Sequence, residues 1–176
     1  MAENPFVGWY GALHNESKSF IYENDVLFNA DKTIIIAYRT DDELYNIPDS
    51  VTSIGNSAFY GCKSLTNINI PDSVTSIGDW AFGECKSLTC INIPDSVTSI
   101  GDGAFDECKS QTNINIPDSV TSIGDYAFGG CNHLKCINIP DSVTSIGNSA
   151  FRECKSLNLQ IKYDIIERFG TKVFSL

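Results

Sequence analysis

The chain has 176 residues, enough for one domain or one repeat array, and a formal net charge of -10 at pH 7. Its few Lys and Arg residues could not form a basic face that offsets phosphate, which excludes a nucleic-acid partner and disfavours acidic membrane surfaces. The sequence lacks the roughly 18 consecutive apolar residues of a membrane helix, and no signal-peptide pattern follows Met1, so we expect no membrane insertion.

Residues 1–43 are predicted to form an N-terminal extension and a capping β-hairpin. Residues 1–18 show no sustained period and are assigned only as a partly packed extension. Two runs rich in β-branched and aromatic residues follow, Phe20 to Phe28 and Thr33 to Tyr38, with turn-forming residues between them. The first sheet edge of a repeat array has unpaired backbone groups, so we expect this hairpin to cover that edge.

Residues 44–157 are dominated by one motif. Ile-Pro-Asp-Ser-Val-Thr-Ser-Ile-Gly occurs five times without a change, starting at Ile47, and each copy begins 23 residues after the last. A fixed period of this length indicates a stacked architecture, in which each unit buries its apolar side against its neighbours. We therefore expect five repeats, each forming one coil of a solenoid.

The unit Leu65–Cys85 shows how one coil should be built. Alternation over Ile68–Ile70 predicts a strand with one buried face, and Pro71 ends it because proline has no amide hydrogen. Gly78 closes a second short extended segment, at a backbone angle that we expect to be costly for other residues. The apolar spacing over Ala81–Cys85 predicts one short helical turn.

Two features of the repeats concern single positions. Gln111 stands where the other copies have Leu, so either its amide is locally satisfied or its site is partly open to water. Five of the seven cysteines recur at the repeat period without a Cys-x-x-Cys pair, which favours buried free thiols over a metal site. These five are Cys62, Cys85, Cys108, Cys131 and Cys154.

Residues 158–176 are predicted to form a C-terminal cap. After Leu157 the apolar positions shift by one residue, to Leu159 and Ile161, which indicates that the array ends here. Helical spacing then continues through Ile165, Ile166, Phe169 and Val173. We expect this segment to cover the last coil.

The repeated pattern Leu-x-x-Ile-x-Ile-Pro-x-x-Val-x-x-Ile-Gly-x-x-Ala-Phe-x-x-Cys closely resembles the BspA-type leucine-rich repeat family of bacterial and protist surface proteins. The resemblance implies an α/β repeat solenoid, a right-handed superhelix with a parallel β-sheet on its concave face and short helical turns on its convex side. It also implies a secreted or cell-surface protein used for adhesion or partner binding. The family has no shared catalytic residues.

Outward strand positions form the candidate partner-binding surface. In one column Cys90 and Cys136 alternate with asparagines, and the other column contains asparagine alone. These asparagines could instead only solvate the sheet and pair along it. The candidate asparagines are Asn67, Asn69, Asn92, Asn113, Asn115 and Asn138. Cys90 and Cys136 lie two coils apart, too far for a disulfide within one chain, and would be candidates for intermolecular crosslinking if exposed.

Two further sets of repeated positions, a column of aspartates and the position that holds Trp80 and Tyr126, could bind a ligand or be purely structural. The carboxylates of Asp49, Asp72, Asp95, Asp118 and Asp141 could attract calcium, but stabilisation of the turn after each strand is favoured. Trp80 and Tyr126 are aromatic residues on either side of Gly103 in the series of coils. They could form a slot for a sugar ring or a partner side chain, or pack as ordinary surface residues.

Enzyme activity is not expected. His14 and His133 are the only histidines, and neither recurs beside a nucleophile and a third orienting group. We expect a monomeric interaction module without cofactor or metal that binds a protein or glycan partner through its concave face. The alternative is a structural spacer or stalk of a larger cell-surface protein, favoured if the surface is uniformly charged and without patches. Ice binding through the regular threonine column is disfavoured because one column is narrow.

Overall fold

The computed structural model of the chain describes residues 18–175, so most of the predicted extension, including His14, lies outside the described residues. The N-terminal strands are β1 Phe20–Glu23, β2 Val26–Asn29 and β3 Ile34–Tyr38. Each coil then has a first strand and a Ser-Ile strand. These are β4 Leu44–Asn46, β5 Ser53–Ile54, β6 Asn67–Asn69, β7 Ser76–Ile77, β8 Cys90–Ile91, β9 Ser99–Ile100, β10 Asn113–Asn115, β11 Ser122–Ile123, β12 Cys136–Asn138 and β13 Ser145–Ile146.

The N-terminal strands form three antiparallel strands rather than two. Asn24 and Asp25 have positive φ values of 48° and 58°, and they divide the run predicted as one strand into β1 and β2. β2 pairs antiparallel with β3, and β3 pairs parallel with β5. The hairpin therefore extends the sheet of Ser-Ile strands and not the sheet of first strands.

The coils stack into two parallel ladders, which makes the chain a parallel-sheet solenoid of about five turns. The Ser-Ile strands and the N-terminal strands form one sheet in the order β1-β2-β3-β5-β7-β9-β11-β13. The first strands form a sheet β4-β6-β8 and a separate pair β10-β12. The expected sheet of first strands is thus present but divided, and the segment expected to be merely extended makes the longer sheet.

The ladder of first strands is interrupted between the third coil, residues 90–112, and the fourth, residues 113–135. The N–H of Thr89 donates to the carbonyl of Thr66 and that of Lys135 to Thr112, but within residues 18–175 the N–H of Thr112 has no corresponding bond. Gln111 precedes this point, is 0% exposed, and has no hydrogen-bond partner at either polar atom of its amide. Neither alternative expected for Gln111 is therefore found, because the residue is neither satisfied nor open to water.

The helical turn predicted near each Ala-Phe pair does not form; a run of tight turns takes its place. Trp80 and Glu84 have positive φ values of 56° and 57°. The alternate N–H groups of Trp80, Phe82 and Glu84 donate to carbonyls of the next coil, at 2.7 to 2.8 Å. A helix would use these N–H groups within one coil, so bonding between coils replaces the helical pattern.

A column of phenylalanines runs through the core. Five rings are fully buried, and consecutive ring centroids lie 5.1 to 5.5 Å apart at interplanar angles of at most 15°. Each buried thiol donates to a Phe carbonyl of the preceding coil, as Cys108 does to Phe82 at 3.2 Å. Burial raises the pKa of the Cys108 thiol. The prediction of buried free thiols is confirmed for Cys85, Cys108, Cys131 and Cys154, whereas Cys62 is half-buried.

Gly78 is required for close approach between coils rather than for its backbone angle. Its φ is not in the left-handed region. A Cβ at Gly78 would lie 2.6 Å from Oδ1 of Asn56 and 2.9 Å from the backbone of Gly55. The expectation of a costly angle was wrong, and Gly101, Gly124 and Gly147 repeat the close approach.

The C-terminal segment contains helix α1, Leu159–Phe169, and a short 3-10 helix, Thr171–Phe174. Leu159 is 82% exposed, so the predicted shift of the core pattern to this residue does not occur. Instead the ring centroid of Phe174 lies 5.7 Å from that of Phe151, so Phe174 continues the phenylalanine column at the original period. None of the helices in residues 18–175 has the length and apolar character that membrane crossing requires.

Candidate functional site

The asparagine face is the set of outward amides on the first strands, Asn67, Asn69, Asn92, Asn113, Asn115 and Asn138. All six are exposed, as predicted, and the isoleucine between them on each strand is buried. Parallel pairing places Asn67 beside Cys90, Asn113 beside Cys136 and Asn115 beside Asn138. The interruption between β8 and β10 divides the face into an N-terminal and a C-terminal half.

The six amides differ in whether they are free to bind a ligand. The side chain of Asn138 donates to the carbonyl of Ile116 and accepts from its N–H, both at 2.9 Å, so it serves the backbone of the preceding coil. Asn113 donates to the hydroxyl of Thr112 at 3.3 Å. Within residues 18–175 the other four, Asn67, Asn69, Asn92 and Asn115, make no side-chain hydrogen bond.

A shallow, open polar cleft of about 470 Å³ lies where the N-terminal half of the face meets the turns that follow the strands. It brings together the amides of Asn69 and Asn92 and the carboxylates of Asp49 and Asp72. Ile70, Pro71 and Ser73 complete its lining. In the sequence the two carboxylates belong to a column separate from the asparagines; the turn between Asn69 and Asp72 brings both columns to one cleft.

The aspartates of these turns do not have the role predicted for them. All five are exposed, and within the described residues none of their side chains makes a hydrogen bond. The backbone closes each turn, as the N–H of Val74 does by donating to the carbonyl of Pro71 at 3.0 Å. The neighbouring serine bonds the preceding coil, as Ser73 does by donating to the carbonyl of Val51 at 2.7 Å. No group of three or more His, Cys, Asp or Glu residues in the described part of the chain could hold a metal ion.

The cleft has the chemistry of a polar-ligand site. An amide both donates and accepts hydrogen bonds, and a carboxylate offers two acceptor oxygens. Since neither the amides of Asn69 and Asn92 nor the carboxylates of Asp49 and Asp72 are used within residues 18–175, all four could bind sugar hydroxyls or the N–H groups of a protein partner. The cleft residues that the sequence did not single out for this role are Asp49, Asp72 and Ser73. Their position three or four residues after each first strand could have indicated them.

The two candidate aromatic residues lie apart from this cleft, and no open slot separates them. Trp80 and Tyr126 are 37% and 39% exposed, and both are in the turn segments. The indole of Trp80 lies against Gly103, where an added Cβ would be 2.7 Å from the ring. The ring of Tyr126 has the Arg152 guanidinium 5.8 Å from its centroid. The gap expected at Gly103 is therefore filled by Trp80 itself.

A second groove, of about 290 Å³, follows the Ser-Ile strands, but its carboxylates are already used. Oδ1 of Asp79 accepts the N–H of Asp102, and Oδ1 of Asp102 accepts the N–H of Asp125, at 3.0 and 2.7 Å. At the two ends of this series, Oδ1 of Asn56 accepts the N–H of Asp79 and Oδ1 of Asp125 accepts the N–H of Asn148. These side-chain bonds join each coil to the next. The residue after each motif glycine is always Asn or Asp, which is the sequence signal for it.

Comparison with solved structures gives a consistent fold. A leucine-rich repeat protein from Bacteroides ovatus is 35% identical over 79% of this chain, which spans only 37% of that protein (TM-score 0.67). One from Bacteroides capillosus is 29% identical over 68% of this chain and 96% of its own (TM-score 0.61). A leucine-rich cell surface protein from Faecalibacterium prausnitzii is 30% identical over 81% of this chain and 54% of its own (TM-score 0.54).

No curated protein sequence matches the chain. The model of the BspA-type leucine-rich repeat region matches residues 38–175 in six copies, one more than the five unchanged motifs. Its range reaches Val173 and Phe174, which occupy the Ala-Phe positions of a sixth unit. The chain belongs to the BspA-type leucine-rich repeat family.

Proposed function

We propose that this chain is a non-enzymatic interaction module that binds a protein or glycan partner at the cell surface through its asparagine face. The observation that carries the proposal is the polar cleft, in which the unused amides of Asn69 and Asn92 lie together with the unused carboxylates of Asp49 and Asp72. The likeness to a leucine-rich cell surface protein supports the location. Trp80 and Tyr126, outside this cleft, are not part of the proposed site.

The proposal assigns different roles to the six asparagines of the face. Asn69 and Asn92 would contact the partner directly, with Asn67 and Asn115 extending the contact along the strands. Asn138 would act mainly as a structural residue, since both ends of its amide already bond Ile116. Asn113 donates one long hydrogen bond to Thr112, so its role would lie between partner contact and structural support.

A double variant tests the proposal. Asn69→Lys with Asn92→Lys should weaken binding at least about tenfold, because two bulky cations replace amides at the cleft. The matched control is Thr75→Lys with Thr98→Lys, which adds the same charge to the same two coils at exposed positions of the Ser-Ile side. The probes are a glycan array and a displayed library of peptides, followed by titration of the best binder.

The outcomes separate the proposal from the spacer alternative. Loss of binding in the asparagine double variant alone supports a recognition surface. Equal loss in both double variants would show that only net charge matters and would contradict the assignment to the cleft. Absence of any binder among both kinds of probe would favour the spacer.

A further inference from the structure

Among residues 18–175, no strand pairs with the outer edge of β4, the first strand of the first coil. In the sheet β4-β6-β8, β4 has a neighbour on one side only, because the N-terminal hairpin joins the other ladder. The N–H of Asn67 donates to the carbonyl of Glu43, and the N–H of Ile47 donates to the carbonyl of Asn69. In a parallel pair, alternate residues face alternate edges, so the N–H and C=O of Leu44 and Asn46 point away from the sheet.

Packing on the inner face of β4 supports its strand conformation. Tyr45 is half-buried and packs against the rings of Tyr38 and Phe59, with centroids 4.6 and 5.9 Å away. Burial raises the pKa of Tyr45 to about 12. A strand that is already ordered loses little conformational freedom when it binds, which favours association.

The chemistry beside the edge indicates what would bind it. Leu44 is 56% exposed, so its apolar side chain is accessible beside the edge. The preceding Asp41, Asp42 and Glu43 are all exposed, and none forms an ion pair within residues 18–175. A second copy of this chain would bring the same acids and its own net charge of -10, so self-pairing is disfavoured.

We propose that β4 is a docking edge for an extended basic segment of a partner protein, which adds to the sheet as a further strand. Its backbone would pair with Leu44 and Asn46, an apolar side chain would cover Leu44, and Lys or Arg residues would lie beside Asp41–Glu43. The edge lies at one end of the ladder, next to the polar cleft, because Asn46 pairs with Asn69. The inference uses the outward backbone groups of β4, which are not part of the cleft, so it does not depend on the proposed function.

The probe is a capped peptide of alternating valine and threonine with lysines at both ends, titrated into the full chain at low and high salt. Binding should weaken steeply with salt, and replacing the lysines by glutamates should abolish it. Asn46→Pro removes an outward N–H without touching a bond to β6 and should weaken binding about tenfold. Asn46→Ala keeps that N–H and is the matched control.

A second variant keeps the test independent of any folding defect in Asn46→Pro. Asp41→Asn, Asp42→Asn and Glu43→Gln together keep the strand and remove the charge, and should weaken binding at low salt about tenfold. Hydrogen exchange at Leu44 and Asn46 should be fast in the free chain and slowed in the complex. Slow exchange in the free monomer, dimerisation through this edge, or equal binding of lysine and glutamate peptides would each overturn the proposal.

Discussion

The same five coils build both ladders, yet the two ladders differ in continuity. On the Ser-Ile side, eight strands from β1 to β13 form one sheet. On the side of the first strands, the sheet ends at β8 and begins again at β10. The nine-residue motif is identical in every coil and contains all the Ser-Ile strands, whereas the residues around the first strands vary. The difference therefore comes from the variable positions.

At the interface between the third and fourth coils, the two sides can be compared directly. On the Ser-Ile side, Oδ1 of Asp102 accepts the N–H of Asp125, and Ile123 pairs with Ile100. On the other side, the unpaired amide of Gln111 is buried beside the missing bond of Thr112. Stability in a solenoid is approximately a sum over such interfaces, so one non-consensus residue weakens one interface on one side.

The largest expected effect comes from removing the support that both ladders share. Phe105 is fully buried and stacks on Phe82 and Phe128, with centroids 5.4 and 5.5 Å away. Phe105→Ala should destabilise the chain by about 3 to 5 kcal/mol in urea unfolding and split the array into two transitions. Phe174→Ala, at the end of the column, is the control and should have a smaller effect without splitting. Unchanged unfolding of Phe105→Ala would contradict the stacked core.

The second-largest effect should come from disrupting the Ser-Ile side of the interface between the third and fourth coils. A Cβ at Gly124 would lie 2.3 Å from Oδ1 of Asp102 and 2.7 Å from the backbone of Gly101. Gly124→Ala should therefore force the Ser-Ile strands of the third and fourth coils apart and destabilise the chain by about 2 to 3 kcal/mol. Hydrogen exchange at Ser122 and Ile123 should accelerate. Wild-type exchange and stability would show that the close approach is not needed.

Repairing the interrupted side should have a smaller effect of opposite sign. Gln111→Leu restores the residue that the other coils have and removes a buried unpaired amide, so it should stabilise the chain by about 1 to 2 kcal/mol. The amide of Thr112 should exchange more slowly in the variant than in wild type. The matched control, Leu134→Gln, should destabilise the chain and accelerate hydrogen exchange at the backbone amide of Lys135, which bonds Thr112 in wild type. If Gln111→Leu leaves exchange at Thr112 unchanged, another residue causes the interruption.

The sequence predicted the features that repeat and missed those that depend on neighbouring coils. Strict periodicity was enough to predict the solenoid, the buried thiols and the exposed asparagines. It could not show that Trp80 lies over Gly103, or that Gly78 is needed for contact with Asn56, because each contact joins residues of different coils. The turn segment was predicted as helical because spacing within one coil cannot reveal hydrogen bonds to the next.

The candidate site was partly predictable for the same reason. Alternation along a strand places Asn69 and Asn92 on the outer face, and this follows from one coil alone. Their meeting with Asp49 and Asp72 depends on how the turn after each strand folds over the adjacent coil. The engagement of Asn138 with Ile116 also joins two coils, so the six asparagines looked equivalent in sequence and are not equivalent in the structure.

The smallest effect concerns the third side of the same coil, the turn segment, where Asp106 is 7% exposed and Oδ1 has no partner in the described chain. Burial, with a contribution from Glu107, raises the pKa of Asp106 to about 6, although Arg152 opposes the shift. The stabilisation from this proton is complete below the unfolded value near 3.8 and is lost as pH rises through about 6. Asp106→Asn should therefore stabilise the chain by about 1 kcal/mol at pH 7 while leaving both ladders unchanged. Wild type should gain stability between pH 7 and 5 in urea unfolding, and the variant should not; equal pH dependence would contradict the assignment of this proton to Asp106.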